Sequence, residues 1–510
     1  MFLRGRSLKY HKNHTESLDT TALKDGLKKR SIRGGMYTMA GEGITFVLRL
    51  GCIVVLARIL VPEQFGLISM VMALTVIAER FKDLGLSLAT IQKKDITHEQ
   101  ISSLFWINVM SGAAIMMILC MLSKLIAWFY GDDRLVWITV GISSTFLFGG
   151  MTVQHQALLR REMQFLKIAA VNVAATIVSV FIAIMLAAVG YEYWALMWRE
   201  IARSVFFAVG TWLAFPWIPG LSIRNANIGE MVRFGRDVTG FNVVNFIAQS
   251  FDQILIGKFW GPSILGIYRQ AYQLILGPVG QLSFPVQYVA EPALSLLQND
   301  PFTYRQYYKK IVTLLSVVSM PLAVLLFLNS KDIILVLLGE KWIEAAEIFR
   351  ILAVGAFILP VASTTGFVMV TCGQTKKFFF LGLAGSIIFV LAFIIGIRWG
   401  AVGIALGYII ATYIYVPPLL VIGFRNTPVN AELFLSAISP SVICSLLMGA
   451  AVFLFSGIIS FQTSFASIAG SLAIGLIVYG LVWILIPGGS MKLKGILADF
   501  WFTFRKAEKP

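Results

Sequence analysis

The sequence lacks the charged surface that a water-soluble protein of its length requires. Only 13% of its 510 residues are Asp, Glu, Lys or Arg, whereas 58% are hydrophobic. Soluble domains carry charge on about a quarter of their residues. Apolar runs of about 20 residues recur along the chain, as helices crossing a hydrocarbon core of about 30 Å require. The composition excludes a soluble enzyme or binding domain and predicts an all-α polytopic membrane protein.

The sequence also has few of the residues and none of the common motifs that catalysis and metal binding use. It contains four Cys and four His. The Cys lie in or beside apolar runs without metal-ligand spacing, and His155 stands alone in a span, so we interpret them as packing residues. The Gly-x-Ser-x-Gly, phosphate-loop, His-Glu-x-x-His and Asp-x-Asp motifs do not occur. We therefore predict no catalytic residue, no metal ligand, no cofactor and no enzymatic activity.

The net charge of +16 does not indicate a nucleic-acid partner. Lys and Arg lie mostly in short loops and at the two ends, where they set membrane topology and attract anionic lipid. With the N-terminus inside, most of the loops predicted to be cytoplasmic carry more basic residues than those on the other side. This bias predicts an even number of spans, both termini in the cytoplasm, and a multi-pass protein of the bacterial inner (cytoplasmic) membrane.

About fourteen spans are predicted between residues 34 and 487, arranged as two pseudo-symmetric six-helix lobes and two C-terminal helices. The predicted parts are a cytoplasmic tail or interfacial helix (1–30), a first lobe (31–216), a linker (217–230), a second lobe (231–425), a helix pair (426–488) and a basic cytoplasmic tail (489–510). The two lobes rest on a repeat at an offset of 200 residues, in which Pro62 matches Pro262 and Gly66 matches Gly266. This repeat predicts an internal duplication.

Polar side chains follow one face of the first span and recur 200 residues later. Glu42, Thr45 and Arg49 are three and four positions apart, which places them on one helical face. The matching stripe contains Asn242, Asn245, Gln249 and Asp252, and Arg269 and Tyr272 follow in the eighth span. Each ionisable group near the bilayer centre costs about 2.5–3.5 kcal/mol on insertion scales, so these residues need partners or water.

Two interpretations of the stripes are open. In the first, Glu42 and Arg49 form an ion pair that only pins helices together. In the second, the two stripes face a water-filled cavity between the lobes that binds a substrate. The sixth span carries three charged residues that either line such a cavity or extend to the membrane interface: Arg199, Glu200 and Arg203. The charged end of the second span, Glu79 to Asp83, is interpreted as an interfacial cluster.

The chain resembles the polysaccharide transporter family, the bacterial flippases of lipid-linked oligosaccharides of the Wzx and colanic-acid-exporter type. They belong to the multidrug/oligosaccharidyl-lipid/polysaccharide (MOP) exporter superfamily. The resemblance runs from about residue 28 to about residue 425. It is carried by residues 57–66 (ARILVPEQFG), 81–87 (FKDLGLS), 105–108 (FWIN), 158–165 (LLRREMQF), 193–196 (YWAL), 266–271 (GIYRQA) and 337–342 (LLGEKW).

The resemblance implies transport of a polyprenyl-diphosphate-linked oligosaccharide between leaflets for exopolysaccharide, capsule or O-antigen (lipopolysaccharide) assembly. We expect alternating access around a cationic cavity in which Arg49 and Arg269 attract the diphosphate or acidic sugars, while Glu42 and Asp252 balance the charge or carry a coupling H⁺ or Na⁺. Membrane lipids and polysaccharide polymerase or export machinery are the expected partners. The alternatives are a multidrug cation antiporter of the same superfamily and a membrane-embedded polysaccharide polymerase or transferase.

Overall fold

The structure is a computed structural model that describes residues 27–93, 95–220, 229, 231, 233, 250–458 and 463–486. Within these ranges the chain forms α-helices and two short 3₁₀ helices, and no strand. The prediction of an all-α protein is confirmed. The described residues fall into two compact units, the first ending at Ser250 and the second beginning at Phe251.

The first unit contains six long helices and one short helix among its described residues. They are α1 (Leu27–Ile59), α2 (Pro62–Asp83), α3 (Leu86–Gln92), α4 (His98–Tyr130), α5 (Arg134–Arg161), α6 (Phe165–Ala188) and α7 (Glu192–Ala214). Helix α1 therefore begins inside the segment predicted as a tail. Helix α4 packs on α5, α6 on α7, and α1 on α6.

Local sequence sets the ends of these helices. Pro62 opens α2, where a missing N–H costs nothing and its fixed φ suits the first turn. At the other end of α2, Leu84 and Gly85 have φ of 51° and 67°, and this left-handed pair turns the chain into α3. Thr97 caps α4 by accepting a hydrogen bond from the backbone N–H of Gln100.

Helices α4 and α5 approach closely because glycines lie where they cross. A Cβ placed on Gly112 would lie 2.5 Å from the Phe146 carbonyl oxygen, and one on Gly150 would lie 2.5 Å from the Asn108 carbonyl oxygen. Small residues at a crossing let two backbones pack tightly inside a membrane. The crossing brings Asn108 of α4 against α5, which matters for the site below.

The described residues of the second unit also form helices joined by short turns. Its helices are α8 (Phe251–Leu296), α9 (Pro301–Leu328), α10 (Ser330–Leu337), α11 (Ala345–Ala362), α12 (Thr364–Thr371), α13 (Thr375–Gly396), α14 (Gly400–Gly423), α15 (Ala431–Ile458) and α16 (Ser464–Leu485). Hydroxyl pairs join neighbouring helices: Tyr304 to Thr371 at 2.7 Å, and Tyr308 to Thr364 at 2.8 Å. Such bonds satisfy polar groups that lipid cannot solvate.

Helix α8 folds back on itself at Gly261. This residue has φ 79° and ψ −179°, a conformation that essentially only glycine adopts. Asp252 and Tyr268 are 16 positions apart, about 24 Å along a straight helix, yet their side-chain oxygens lie 2.8 Å apart. The reversal comes just before Pro262, as the α1–α2 turn comes just before Pro62. The sequence repeat therefore corresponds to the same helix-turn-helix element in each unit.

The surfaces of the helices are those of an integral membrane protein. Nine segments of the described chain are long and apolar enough to cross a membrane. Their outward-facing side chains include Met121, Trp128 and Ile458, which are 79%, 76% and 80% exposed. Apolar surface of this extent is stable against lipid rather than water. The total of fourteen spans stays a prediction.

Candidate functional site

The predicted stripe on α1 meets a polar residue of α6. The Asn172 amide nitrogen lies 3.5 Å from Glu42 Oε1 and 3.5 Å from Thr45 Oγ1. Thr45 is fully buried and Glu42 partly buried. Glu42 and Thr45 therefore lie on one face of α1, as their three-residue spacing predicted, because the side chain of Asn172 on α6 contacts both.

Charged residues of α7 extend this polar region. Arg199 Nη2 lies 2.6 Å from Glu200 Oε1, and Arg203 Nε lies 4.0 Å from Glu200 Oε2. Arg49 of α1 interacts electrostatically with Glu42 and with all three residues of α7. Three guanidinium groups of α1 and α7 thus lie near two carboxylates, which leaves this cluster cationic.

The first interpretation of the stripe, a direct Glu42–Arg49 ion pair, is wrong. No ion pair joins these two side chains within the described residues. They lie seven positions apart on one helix, about 10.5 Å along its axis. Arg49 is instead exposed on α1.

A cavity of about 490 Å³ lies inside the first unit. Its walls come from α2, α5, α6 and α7, with one residue, Ser87, from α3. Glu200 and Arg203 line it, and so does Asn172. These two α7 residues therefore line a cavity of the first unit, while a cavity between the lobes stays a prediction.

The charged end of α2 also lines this cavity. Glu79, Lys82 and Asp83 face it together with Arg160 of α5. Lys82 Nζ lies 3.0 Å from Glu79 Oε2, and the Asp83 carboxylate accepts hydrogen bonds from the Ser87 N–H and hydroxyl at 2.9 and 2.5 Å. The turn into α3 folds these residues against α5, so they line the cavity, and their position at the membrane interface stays a prediction.

A buried hydrogen-bond network holds the end of α2 in place. Asn108 donates to the carbonyl oxygens of Lys82 and Asp83 at 3.2 and 3.0 Å. Its own carbonyl oxygen accepts from Gln154 at 2.9 Å, and Gln154 accepts from Thr90 at 2.8 Å. The last four carbonyls of a helix have no partner within it, so Asn108 acts as a side-chain cap for α2.

The second unit brings together four of the polar residues around the Gly261 turn. Asp252 is 3% exposed, and its Oδ2 accepts the Tyr268 hydroxyl at 2.8 Å. Its Oδ1 has no hydrogen-bond partner among the described residues. Arg269 donates to the side-chain oxygen of Gln253. This cluster therefore places a buried carboxylate beside a guanidinium group.

The remaining predicted site residues have different outcomes. Asn242, Asn245 and Gln249 lie outside the described residues. Tyr272 is partly buried, and its ring centroid lies 6.3 Å from that of Tyr408 on α14. No sequence pattern pointed to Tyr408, since a single Tyr in an apolar span carries no periodic signal.

His155 is a packing residue, as the sequence predicted. It is fully buried, with Nε2 3.0 Å from the Trp217 carbonyl oxygen and its ring stacked on Trp212 at 4.4 Å. These contacts attach the chain after α7 to the end of α5. His155 therefore belongs to the core and not to the cavity.

A second charged cluster lies at the opposite ends of α2 and α5. Arg134 Nη2 lies 2.6 Å from Glu63 Oε1 and 2.7 Å from Asp132 Oδ2. The hydrogen bonds from Arg134 hold the pKa of the Asp132 carboxylate below its usual value. This cluster ties the α1–α2 turn to the α4–α5 turn.

The sequence and the fold both match known proteins. The family model described as "Polysaccharide biosynthesis protein" matches residues 55–347. The lipopolysaccharide biosynthesis protein WzxC of Escherichia coli (strain K12) is 23% identical over 438 residues, covering 83% of this chain and 88% of that protein. The teichuronic acid biosynthesis protein TuaB of Bacillus subtilis (strain 168) is 26% identical over 332 residues, covering 64% and 68% respectively.

Among solved structures, the lipid II flippase MurJ in an inward closed conformation has a similar fold. The TM-score is 0.73 at 16% sequence identity, and the match covers 88% of this chain and 98% of that one. At this identity the likeness concerns the fold alone.

Proposed function

The chain belongs to the polysaccharide biosynthesis protein family, and we propose on this premise that it is a flippase for lipid-linked oligosaccharides. The substrate would be a polyprenyl-diphosphate-linked repeat unit that moves from the cytoplasmic to the outer leaflet of the bacterial inner membrane. Its product would feed exopolysaccharide, capsule or O-antigen assembly. The names of the two relatives and the flippase fold support this proposal.

The observation that carries the proposal is the polar interior of the first unit. A cavity of about 490 Å³ lies among membrane-spanning helices, and charged residues of α2, α5 and α7 line it. Ionisable groups inside a membrane are costly, so their presence around a cavity indicates a hydrophilic ligand. A cavity of this volume lies within the range of ligand-binding pockets, about 300–1,000 Å³.

The proposed mechanism is alternating access, in which the polar site opens to one side of the membrane at a time. Both termini lie in the cytoplasm in the proposed topology. Arg49 and Arg269 bind the diphosphate or acidic sugars through charge-assisted hydrogen bonds that release must break. Transport requires no catalytic step, and polysaccharide polymerase or export machinery would take over the product.

Asp252 is the group that we propose for a coupling H⁺ or Na⁺. Its burial and an Oδ1 that has no hydrogen-bond partner among the described residues support this role, because a buried carboxylate gains from a proton or a cation. Glu42 would balance the positive charge of the first unit when no substrate is bound.

The test is export in a deletion strain that carries the wild-type gene or one variant. We expect Arg49→Ala and Arg269→Ala to abolish surface polysaccharide and to leave the lipid-linked repeat unit in the inner leaflet, at normal protein levels. Arg398→Ala removes the same charge from an exposed position outside these clusters and should export normally. Normal export by both site variants would refute the roles of the two arginines, and normal export by the deletion strain itself would refute the flippase assignment.

A further inference from the structure

The cavity of the first unit has the lining of a saccharide site. Neutral hydrogen-bonding groups lie beside its charged residues: the amides of Gln156 and Asn172, and the hydroxyls of Thr145, Thr152 and Ser204. The oxygens of amides and hydroxyls accept hydrogen bonds, which suits the hydroxyl groups of a sugar. The rings of Phe146 and Phe207 add apolar faces. The three hydroxyls each donate to a backbone carbonyl oxygen, and the amide nitrogens of Gln156 and Asn172 contact neighbouring side chains, so what these groups offer a sugar is their oxygen lone pairs.

Two cations of the cavity have hydrogen-bonding capacity to spare. Arg160 forms no ion pair within the described residues and is exposed at one end of the cavity. Arg203 has one carboxylate contact, the 4.0 Å approach to Glu200, although a guanidinium carries five N–H donors. By contrast, Lys82 is paired with Glu79 at 3.0 Å. The spare donors therefore belong to Arg160 and Arg203.

The cavity lies where a substrate would enter from the cytoplasm. Arg160 lies at the end of α5, and Lys82 and Asp83 lie at the end of α2. In the proposed topology these ends are cytoplasmic, so a glycan assembled in the cytoplasm meets them first. Gly149 keeps this entrance open for the Lys82 side chain, because a Cβ there would lie 2.5 Å from Lys82 Cδ.

We propose that this cavity binds the sugar portion of an oligosaccharide that carries an acidic group, with Arg160 and Arg203 binding the anion and the amides of Gln156 and Asn172 binding sugar hydroxyls. The inference rests on the proposed function and adds to it a preference for acidic glycans. An anion of the same chemistry is present in the diphosphate of the lipid carrier. The two amides and three hydroxyls named above favour the sugar acid, because a diphosphate alone would not use them.

The first experiment measures binding to the purified full chain in nanodiscs by calorimetry. The probes are a glucuronate-containing disaccharide, its methyl ester and inorganic pyrophosphate. We expect the wild type to bind the acid about tenfold more tightly than the ester, the effect of one charge-assisted contact of about 1.4 kcal/mol. Arg160→Gln and Arg203→Gln should each lower this preference to about twofold or less and leave ester binding unchanged.

The controls separate a binding role from a folding role. Arg398→Gln removes an exposed charge outside the cavity and should retain the tenfold preference. Arg160 is exposed, so its Gln variant should fold even if the Arg203 variant does not. Equal binding of acid and ester by the wild type, or a preference that survives both substitutions, would overturn the proposal. Competition by pyrophosphate without any binding of the ester would assign the anion site to the carrier diphosphate and overturn the sugar assignment.

A second measurement distinguishes this inference from the proposed function. Liposomes containing the chain receive short-chain polyprenyl-diphosphate disaccharides with an acidic or a neutral sugar, and movement between leaflets is followed. Faster movement of the acidic substrate in the wild type, with the difference lost in Arg160→Gln, supports both the flippase function and the saccharide site. If wild type and variant move the substrates with the same preference for the acid, the saccharide site is refuted and the flippase function is not. Movement of neither substrate refutes the flippase function, and the binding data then decide on the saccharide site independently.

Discussion

Replacing Asn108 by Leu should destabilise the first unit through the end of α2. Asn108 is fully buried and supplies donors to the carbonyls of Lys82 and Asp83, while its oxygen accepts from Gln154. Leu has a similar size but makes none of these bonds. The substitution therefore isolates the loss of hydrogen bonds from the loss of packing.

The structure sets the size of the effect. Three polar groups lose a partner, and each buried group left without one costs about 1–3 kcal/mol. Lys82 and Asp83 also line the cavity, so water there can replace part of the lost bonding. We expect a loss of about 3 kcal/mol. For a unit of this size that corresponds to a fall of about 6–12 °C in the melting temperature.

The assay is thermal unfolding of the purified protein in detergent, followed by tryptophan fluorescence. Ser111→Ala is the matched control, because Ser111 donates to the Phe81 carbonyl at the same helix end from an exposed position, at 3.0 Å. It should cost less than about 0.5 kcal/mol. The double variant Asn108→Leu/Gln154→Leu should cost less than the sum of the two single variants, since the bond between them is already lost. Additive losses, or equal effects of Asn108→Leu and Ser111→Ala, would refute the reasoning.

Two further predictions concern the turns. Arg134 lowers the pKa of Asp132, so their contact stabilises the fold above the ordinary Asp pKa of about 4 and is lost as the pH falls through the lowered value. The melting temperature of the wild type should approach that of Asp132→Asn on acidification, and a constant gap between about pH 7 and about pH 3 would contradict this. Gly261→Ala should cost about 1–3 kcal/mol because of its backbone conformation. Gly280→Ala, in open space on the same helix, is the control, and equal melting temperatures of the two variants would exclude strain at Gly261.

Sequence reasoning located the turn before Pro62 and the stripe on α1 because both depend on local rules. The repeat that matches Pro62 with Pro262 and Gly66 with Gly266 predicted a shared element, and Pro restricts the backbone where each second helix begins. The spacing of Glu42 and Thr45 fixes their common face, and Asn172 contacts both. Helical periodicity alone carries this information.

The cavity was not predicted because it depends on which helices are neighbours. Hydropathy indicates how deep Glu79 and Lys82 lie in the membrane, but not that the turn at Leu84 and Gly85 folds them against α5. Arg160 also follows an apolar span, where a basic residue is the ordinary signal for a cytoplasmic end. That Arg160 also lines the cavity depends on the packing of α2 and α7 beside α5, which the sequence does not show.

The polar residues of the membrane region divide by whether their hydrogen bonds are complete. Asn108 and Gln154 bond to each other, and each has a further partner, so this network has a structural role and its loss should appear first as lower stability. Arg203 and Arg160 retain free donors at a cavity, and Asp252 retains an unfilled oxygen among the described residues. Incomplete bonding is costly in a membrane unless a ligand, an ion or water completes it. Substitutions at these three residues should therefore change transport more than they change the melting temperature, and the reverse should hold for Asn108.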